Sequence, residues 1–570
     1  MFLCNSKAYL ANLALLVLAS EVMADSTSQL PTVDLGYAIH QATYNDSRGW
    51  FNFSNIHYAA APRFGAPAPV TIVDRRINDG QTPGICPLKL PKWYDLTALY
   101  QAGQLSLEEV NSTFLELRNL SPSSNATLIG QYLTHPDPVV TEDCLTLDVV
   151  VPEAIWQRTH DASDPGAPVL VWLYGGGYVA GDKNSAGNPA SLITKAQMNG
   201  SDGVVYIAIN YRLGIFGFAS GPDYEEQGGV SNLGLHDQRF ALEWIQENVH
   251  LFGGNPDDVT VIGESAGGGS ILHQLTAYGS TSGAPFKRAI LQSPGFEVNT
   301  GAKKQILAYN KALDWASYFS NSSVTTLNDL KQLSFEVIEK VNQITVATTY
   351  WGSFGWGPVA DGAFVPDLPG VLLSNGKYDS SVEIFGAHNS DEGFIFASPL
   401  IGNNEQYISS LLKLLLPEAS DEVIDYVTTK LYPAVYDGTY PWKTPLERTS
   451  KTIAESWFIC NNHFLNKALD GNAFNYVFDV PPGWHGTDIP YTFFNNETSS
   501  NGFPLNASIA NTLQAYLTTF TKTGSPNVAG LPNIPLYGAD AAVLSLYNKT
   551  LIVDMAARAR CDWWQKALYR

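Results

Sequence analysis

A strand that runs directly into a glycine-flanked serine is the feature that most constrains this fold. The chain reads Val-Thr-Val-Ile over 259–262 and Gly-Glu-Ser-Ala-Gly over 263–267, and an apolar helical pattern follows. Glycines two positions before and after Ser265 allow a sharp strand-to-helix turn that holds the serine hydroxyl at the edge of a sheet. The following helix then points backbone N–H groups at developing negative charge. The alternative is a glycine-rich turn with a purely structural role, and the flanking strand and helix argue against it.

The rest of the chain alternates short β-branched runs with helical patterns. Runs that are buried on both faces and separated by helices are typical of a mostly parallel sheet. The predicted strands are Pro168–Leu173, Gly203–Ile209, Val259–Ile262, Arg288–Leu291, Ser381–Phe385 and Phe474–Phe478. A helix is predicted over 237–249, where apolar residues recur at helical spacing. Because no repeat, linker or charge block divides the chain, residues 25–570 are predicted to form a single α/β domain.

A second glycine run follows another predicted strand. The strand from Val169 to Tyr174 ends in three glycines, 175–177, which let N–H groups face a carbonyl oxygen with no side chain in the way. The alternative is a dinucleotide-binding loop, which needs an immediate helix and an acidic residue about 20 positions further on. The chain continues instead with Gly-Asp-Lys-Asn at 181–184, and that acid is missing.

A nucleophilic serine needs a base, and the base needs an orienting acid. In a strand–serine–helix fold of this kind the order along the chain is serine, acid, histidine. The histidines that follow Ser265 are His273, His388, His463 and His485. The first and third fall in helical patterns and are expected to be structural, and the second precedes the candidate acids. The base is therefore predicted to be His485, in a loop after a strand, while Asp391 and Glu392 both remain open as the acid.

The charge balance limits the partners. The 570 residues include 33 Lys and Arg against 54 Asp and Glu, a formal net charge of −21. Such a surface repels phosphate backbones, so the sequence argues against nucleic-acid binding. The composition is 45% hydrophobic and 15% charged, which is that of a chain with a large core rather than a disordered one.

The first residues have the pattern of a secretory signal peptide, predicted over 1–24. Lys7 supplies a positive start, Tyr9–Ala19 is apolar, and Val-Met-Ala at 22–24 fits a cleavage site. The alternative is a buried N-terminal helix. The apolar run is too short to span a bilayer, which takes about 20 residues, and the C-terminal residues 561–570 lack the tail of a lipid-anchor signal. The mature chain is expected to be secreted, with no stable membrane anchor.

Cysteine and asparagine patterns agree with an oxidising compartment. Cys4 leaves with the signal peptide, and the remaining cysteines are Cys86, Cys144, Cys460 and Cys561. Four cysteines can pair in three ways; proximity favours neighbours, and a zinc site is the weaker alternative because no Cys-x-x-Cys spacing occurs. Sequons for N-glycosylation begin at Asn45, Asn52, Asn111, Asn119, Asn125, Asn199, Asn321, Asn496, Asn506 and Asn548.

Several longer motifs together resemble the type-B carboxylesterase/lipase family, which includes cholinesterases, secreted fungal lipases and the non-enzymatic neuroligins. The matches span nearly the whole mature chain. They are 53–59 (FSNIHYA) with Arg63-Phe64, 142–148 (EDCLTLD), 174–177 (YGGG), 210–217 (NYRLGIFG), 252–256 (FGGNP), 263–267 (GESAG), 391–393 (DEG) and 561–564 (CDWW).

The resemblance implies an α/β-hydrolase fold, with a mostly parallel central sheet flanked by helices. As nucleophile, acid and base it implies Ser265, Glu392 and His485, and as backbone donors to an oxyanion Gly176, Gly177 and Ala266. It also implies both disulfides by neighbour pairing. Cholinesterases of the family carry a Trp ten residues before the cysteine that matches Cys144, and here that position is Thr134. Choline esters are therefore not expected as substrates.

The sequence thus predicts a secreted serine esterase whose partner is a small-molecule ester, neutral and apolar, with no metal or cofactor. A triacylglycerol lipase is the alternative enzyme. A neuroligin-like adhesion protein is the alternative without activity, and it is disfavoured because candidates for all three catalytic residues are present.

For three further features, the sequence leaves two interpretations open. Glu264, beside the nucleophile, either tunes the local field or is a solvated acid. A helical pattern over 96–120, interrupted near Gly103, belongs either to the core or to a cover over the site. The third feature is an aromatic set that lines a pocket or packs in the core: Trp351, Phe354, Trp356 and Trp484.

Overall fold

The computed structural model describes residues 30–134, 137–161, 163–297, 301–495, 505–554 and 559–570. The predicted signal peptide, 1–24, and the sequon at Asn496 lie outside these residues, as does the side chain of Asn199.

Two sheets are present, of three and eleven strands. The small sheet has the order β1-β2-β5, and the large one β14-β13-β12-β11-β10-β9-β7-β8-β6-β4-β3. The strands are β1 Thr32–Asp34, β2 Ala38–Gln41, β3 Thr43–Asn45, β4 Trp50–His57, β5 Asp74–Asn78, β6 Thr146–Pro152, β7 Ala167–Leu173, β8 Val205–Ile209, β9 Gly254–Glu264, β10 Arg288–Gln292, β11 Glu383–Asn389, β12 Phe474–Phe478, β13 Ala542–Ser545 and β14 Thr550–Val553.

The centre of the large sheet is parallel, as the sequence predicts. From β8 through β7, β9, β10, β11 and β12 to β13, every neighbouring pair runs parallel, and antiparallel strands close both edges. The apolar runs are buried on both faces: Val171, Ile207, Val261 and Ile290 are fully inaccessible to solvent. Chain segments that leave the carboxyl ends of these strands therefore meet at one edge of the sheet.

Helices pack against this sheet, α9 on β9 and β10, and α19 on β7. The helices are α1 Lys92–Gln101, α2 Leu107–Arg118, α3 Ala126–Gly130, α4 Glu153–Trp156, α5 Ala190–Ala196, α6 Gly214–Phe218, α7 Pro222–Glu226, α8 Leu233–Asn248, α9 Ala266–Thr276, α10 Ala302–Ser320, α11 Leu327–Gln332, α12 Phe335–Ala347, α13 Pro369–Ser374, α14 Tyr407–Leu415, α15 Asp421–Tyr426, α16 Pro445–Ala454, α17 Cys460–Ala468, α18 Ile489–Thr492, α19 Ala507–Thr523 and α20 Ala559–Gln565. Short 3₁₀ or π turns lie at Met198–Gly200, Val249–Phe252, Ala277–Ser280, Phe394–Phe396, Pro399–Ile401, Val427–Leu431 and Glu455–Ile459.

All six predicted strands lie within or overlap observed ones. Phe474–Phe478 has the same ends as β12, and the ends of the other five differ. The largest difference is in β9, which runs from Gly254 to Glu264 instead of Val259–Ile262. Strand β11 begins two residues later than predicted and continues to Asn389. Its polar last residues are not typical of a buried strand, yet they pair in register with β12, where His388 lies opposite Val477 and Asn389 opposite Phe478. The predicted helix 237–249 starts four residues earlier, at Leu233, after Asn232 in a left-handed conformation, and ends at Asn248.

The cysteines pair as neighbours, Cys86 with Cys144 and Cys460 with Cys561. The first disulfide encloses α1 and α2, which take the place of the helical pattern over 96–120. The helical structure is interrupted between them, near Gly103 (φ +68°), and Ser106 caps α2 together with Glu109. Trp93, Leu96, Val110 and Leu117 of these helices are buried, so their apolar faces belong to the core.

Most predicted glycosylation sites are open to solvent. The exposed ones are Asn45, Asn111, Asn119, Asn125, Asn321, Asn506 and Asn548. Asn52 differs, because it lies half-buried in β4 and its amide donates to Ser54 Oγ at 2.9 Å. In the part of the chain that the structure describes, no helix combines the length and the apolarity needed to cross a membrane.

Removing the first disulfide should destabilise the protein. Cys86 and Cys144 are 58 residues apart, and opening a loop of that length costs about 4 kcal/mol in the chain-entropy model. The variant Cys86→Ala/Cys144→Ala is expected to lose about that much free energy of unfolding, measured by urea denaturation. Peptide mapping without reductant is the control, and a fragment linking Cys86 to Cys460 or Cys561 would contradict the pairing.

Candidate active site

Ser265 lies at the turn between β9 and α9 in a strained backbone conformation. Its φ is +57° and its ψ is −123°, a region that non-glycine residues rarely adopt. Three backbone hydrogen bonds hold it: its N–H donates to Gln292 O at 3.0 Å, and its carbonyl accepts from Gly269 N and Gly295 N at 2.8 and 2.9 Å. The serine side chain is thereby held at the carboxyl edge of the sheet, as the glycine-flanked motif predicts.

His485 reaches Ser265 from the loop that follows β12. Its Nε2 lies 2.7 Å from Ser265 Oγ, within hydrogen-bond distance. The rings of Phe396 and Phe458 lie 5.3 and 4.2 Å from the imidazole centroid and cover it. The predicted base and nucleophile are therefore in direct contact, although 220 residues separate them in the chain.

The structure distinguishes between the two candidate acids. Glu392 is fully buried, and its Oε2 lies 2.6 Å from His485 Nδ1, while its Oε1 accepts from Asn389 N at 2.6 Å. Asp391 faces away from the imidazole: its carboxylate accepts from Ser450 Oγ at 3.2 Å and its N–H donates to the carbonyl of Gly483. Glu392 is thus the acid in contact with the base.

The other histidines after Ser265 have separate surroundings. His388 Nε2 lies 2.9 Å from Asp554 Oδ1, and His463 Nε2 lies 3.2 Å from Asp562 Oδ1. His273 is buried beside Phe296, and neither of its ring nitrogens has a hydrogen-bond partner among the described residues. All three therefore fit the structural role that the sequence assigns to His273 and His463.

The glycine run at 175–177 lies directly against the serine. A Cβ on Gly175 would stand 2.9 Å from Ser265 Cβ, and one on Gly176 would stand 2.2 Å from Ala180 O. Gly176 and Gly177 both have positive φ, +110° and +63°. Backbone alone fits beside the serine, an arrangement compatible with Gly176, Gly177 and Ala266 as oxyanion donors.

Two more carboxyl groups stand near the imidazole. Glu264 is 2% exposed, and its Oε1 lies 3.5 Å from His485 Nε2. Burial, and then the nearby carboxylates of Asp488 and Glu392, raise the pKa of Glu264 well above its ordinary value. The interpretation of Glu264 as a solvated acid is therefore wrong, because the backbone turn that holds Ser265 at the edge of the sheet leaves the preceding side chain, Glu264, buried.

Asp488 was not among the predicted site residues. It is buried, and it accepts from Gln292 Nε2 at 3.1 Å and from Asn389 Nδ2 at 3.3 Å. Burial, and then the Glu392 carboxylate, raise the pKa of Asp488 to about 6. The sequence offered one signal for Asp488: it follows the predicted base, His485, by only three residues, so its carboxyl group was bound to lie near the site.

The aromatic candidates divide between two environments. Trp351 and Trp356 are buried in the core, whereas Phe354 and Trp484 are partly exposed. Trp484 stacks on Phe394 with ring centroids 4.8 Å apart. Thr134 is engaged by Gln343, to which it donates through its backbone N–H at 2.7 Å.

The arrangement can support nucleophilic acyl transfer. A serine hydroxyl, an imidazole and a buried carboxylate form a continuous chain of contacts, which is the geometry for activating a hydroxyl and orienting its base. Among the residues that the structure describes, no group of three or more His, Cys, Asp or Glu side chains could hold a metal ion.

Comparison with known proteins gives the chain its relatives. It matches the model of the carboxylesterase family over residues 40–564. Carboxylesterase patB of Penicillium expansum is 37% identical over 556 residues, with 95% of this chain and 96% of that protein covered. Lipase 2 of Geotrichum candidum is 32% identical over 413 residues, with 68% and 70% covered. The crystal structure of Aspergillus niger EstA superposes with a TM-score of 0.74 at 21% identity, covering 95% of this chain and 99% of EstA, and has the predicted α/β-hydrolase fold.

Replacing Asp488 by asparagine should have a pH-dependent effect on stability. A carboxyl group whose folded-state pKa is raised contributes stability below its unfolded pKa, near 4, and loses that contribution as the pH rises through about 6. Asparagine does not titrate. The free energy of unfolding of Asp488→Asn relative to wild type should therefore rise by about 3 kcal/mol from about pH 3.5 to about pH 7.5.

Urea denaturation at the two pH values measures this difference. The cost of altered hydrogen bonds to Gln292 and Asn389 is present at both pH values and cancels. A difference that does not change with pH would mean that the Asp488 carboxyl titrates at its ordinary pKa.

Proposed function

This chain belongs to the carboxylesterase family and is a carboxylic-ester hydrolase, and we propose that it is a secreted serine esterase that works through an acyl-enzyme on Ser265. The observation that carries the proposal is the chain of contacts from Glu392 through His485 to Ser265, at 2.6 and 2.7 Å. The same contacts support an enzyme rather than a neuroligin-like adhesion protein.

In this mechanism His485 Nε2 takes the proton of Ser265 Oγ as the oxygen attacks the ester carbonyl. Glu392 holds the imidazole in the required tautomer and favours the imidazolium. The carbonyl oxygen becomes an oxyanion, which accepts from the N–H groups of Gly176, Gly177 and Ala266, and loss of one such donor typically costs about 3–4 kcal/mol. The ester C–O bond then breaks as the imidazolium protonates the departing alkoxide oxygen, and the acyl group remains on Ser265. Water, deprotonated by His485, attacks the acyl-enzyme, and His485 returns the proton to Ser265 Oγ as the acid leaves.

Secretion is proposed from three features that support one another. The sequence has a signal-peptide pattern over 1–24, two disulfides are formed, and seven sequons are exposed. Disulfides persist in oxidising compartments and sequons are used in secreted proteins, so both fit an extracellular glycoprotein.

Neutral, apolar carboxylic esters are the proposed substrates. The leaving alcohol must lie beside the His485 imidazole, because that ring protonates it. The rings of Phe396 and Phe458 cover the imidazole, so its surroundings are apolar. The position of the cholinesterase Trp is occupied by Thr134, and the nearby Tyr132 is buried with its hydroxyl donating to Glu116 Oε1 at 2.6 Å. Neither residue offers an open aromatic face to a quaternary ammonium group.

Ser265→Ala should abolish turnover and keep the fold. Members of a catalytic triad act as a unit, so kcat should fall below about a hundredth of the wild-type value. A serine-directed phosphonate should label wild type at Ser265 and leave the variant unlabelled. Ser270→Ala is the matched control, since this serine lies in α9, the helix that follows Ser265, and contacts Gln238 instead of His485. Activity that survives in Ser265→Ala would assign the reaction to another nucleophile.

Apolar esters should be preferred to choline esters. An aromatic platform contributes about 2 kcal/mol to binding of a desolvated ammonium group, some thirtyfold, and its absence should be seen in kcat/KM. The comparison is p-nitrophenyl butyrate with butyrylthiocholine, at about 0.1 M salt so that the acidic surface is screened beyond about 10 Å. Values within a factor of about ten would contradict this preference. Turnover of emulsified triacylglycerol above that of the soluble esters would support the lipase alternative.

A further inference from the structure

Glu297 is a buried carboxylate outside the triad that holds a turn of the chain beside the active site. It follows β10, and its side chain is 7% exposed. Its Oε1 accepts from the backbone N–H of Phe354, and its Oε2 accepts from Ser353 Oγ at 3.1 Å and from Lys304 Nζ. One carboxylate therefore binds two consecutive residues of the turn and a balancing ammonium group.

Two further hydrogen bonds hold the same turn, one from α1 and one within the turn. Trp93 of α1 donates through Nε1 to Ser353 O at 2.7 Å, and Gly355 N donates to Ser353 Oγ at 3.2 Å. Gly352 and Gly355, on either side, both have a φ of +82°. Glycines allow many backbone conformations, so the position of the turn depends on these side-chain contacts rather than on its own stiffness.

The turn presses the Phe354 ring against the glycine run. A Cβ on Gly177 would lie 2.2 Å from Phe354 Cδ1 and 2.3 Å from Cε1, so the ring occupies the space a side chain would need there. Phe354 is partly exposed, and its ring lies 6.2 Å from that of Phe396, which in turn lies 5.3 Å from His485. Phe354 is thus a wall of the space beside Gly177.

We propose that Glu297 is a positioning residue that sets acyl-group selectivity by holding Phe354 against Gly177; this inference rests on the proposed esterase function. The leaving alcohol must lie within reach of His485 Nε2, and the carbonyl oxygen must face the glycine run. The group left beside Gly177 and Phe354 is then the acyl part of the ester. A fixed Phe354 restricts its length, and a released Phe354 admits a longer chain.

Lys304 is the charged partner of Glu297. Its side chain is 19% exposed, and its ammonium group supplies a positive charge beside the buried Glu297 carboxylate, whose other partners, Phe354 N–H and Ser353 Oγ, are neutral. Removing one member of a buried ion pair leaves the other uncompensated. Loss of Lys304 should therefore disturb the turn in the same direction as loss of the Glu297 carboxylate.

The experiment measures kcat/KM for p-nitrophenyl acetate and p-nitrophenyl octanoate in wild type, Glu297→Gln and Lys304→Met. Glutamine keeps one acceptor for the turn but loses the second acceptor and the charge. The octanoate-to-acetate ratio should rise about tenfold in Glu297→Gln, mainly through a lower KM for octanoate, since pocket contacts of methylene size change selectivity by that order. Lys304→Met should change it in the same direction. Lys303→Met, which removes an exposed ammonium group from the same helix end, should leave it unchanged.

A double variant separates positioning from general loosening of the fold. In Phe354→Ala the wall is already gone, so adding Glu297→Gln should change the ratio by less than about twofold. An equal effect in both backgrounds would overturn the proposal, and so would an unchanged ratio in Glu297→Gln and Lys304→Met while wild type is active. If wild type hydrolyses neither ester and a serine-directed phosphonate labels no residue, the proposed esterase function fails instead. Titration with the phosphonate sets the active-site concentration for every variant.

Discussion

The contact between the β9–α9 turn and the end of β7, where backbone fits and a side chain does not, is the constraint on which the site depends. A Cβ on Gly267 would lie 2.0 Å from Leu173 O, and one on Gly263 would lie 2.6 Å from the Gly267 carbonyl carbon. This packing forces Ser265 into a conformation that costs of order 1–3 kcal/mol. Hydrogen bonds to Gln292, Gly269 and Gly295 offset that strain. The position of the Ser265 hydroxyl at the edge of the sheet is therefore a product of close packing below it.

The parallel register brings the remaining groups to the same edge. Glu264 pairs with Gln292 across β9 and β10, and Asn389 pairs with Phe478 across β11 and β12. The segments that follow β11 and β12 carry Glu392 and His485, and both therefore lie close to Ser265. The same convergence crowds carboxyl groups around one imidazole. Burial and mutual repulsion raise the pKa values of Glu264 and Asp488, so both hold their protons more tightly than ordinary carboxyl groups, while Glu392 contacts the imidazole directly.

Contiguous patterns were predicted well, and patterns that depend on pairing were not. The apolar runs before Gly175 and Ser265 are strands because β-branched residues buried on both faces suit a parallel sheet. The polar end of β11, by contrast, was not predicted as strand, since His388 and Asn389 are strand residues through their pairing with β12. Trp351 and Phe354 are only three residues apart, yet Trp351 is buried in the core and Phe354 is partly exposed and packs on Gly177. Composition alone could not separate them.

The sequence by itself determined the strand–serine turn, the glycine run and the histidine loop, because each is a contiguous segment whose backbone preferences and hydrophobic pattern are local. Residue chemistry left Asp391 and Glu392 open, and among sequence arguments only the family resemblance implied Glu392. The tertiary structure placed the Glu392 carboxylate against His485 and the Asp391 carboxylate against Ser450. It also brought Asp488 to Gln292 and Glu297 to Phe354, 196 and 57 residues away in the chain. Such contacts are set by sheet register and side-chain packing, and these leave no period or spacing in the sequence.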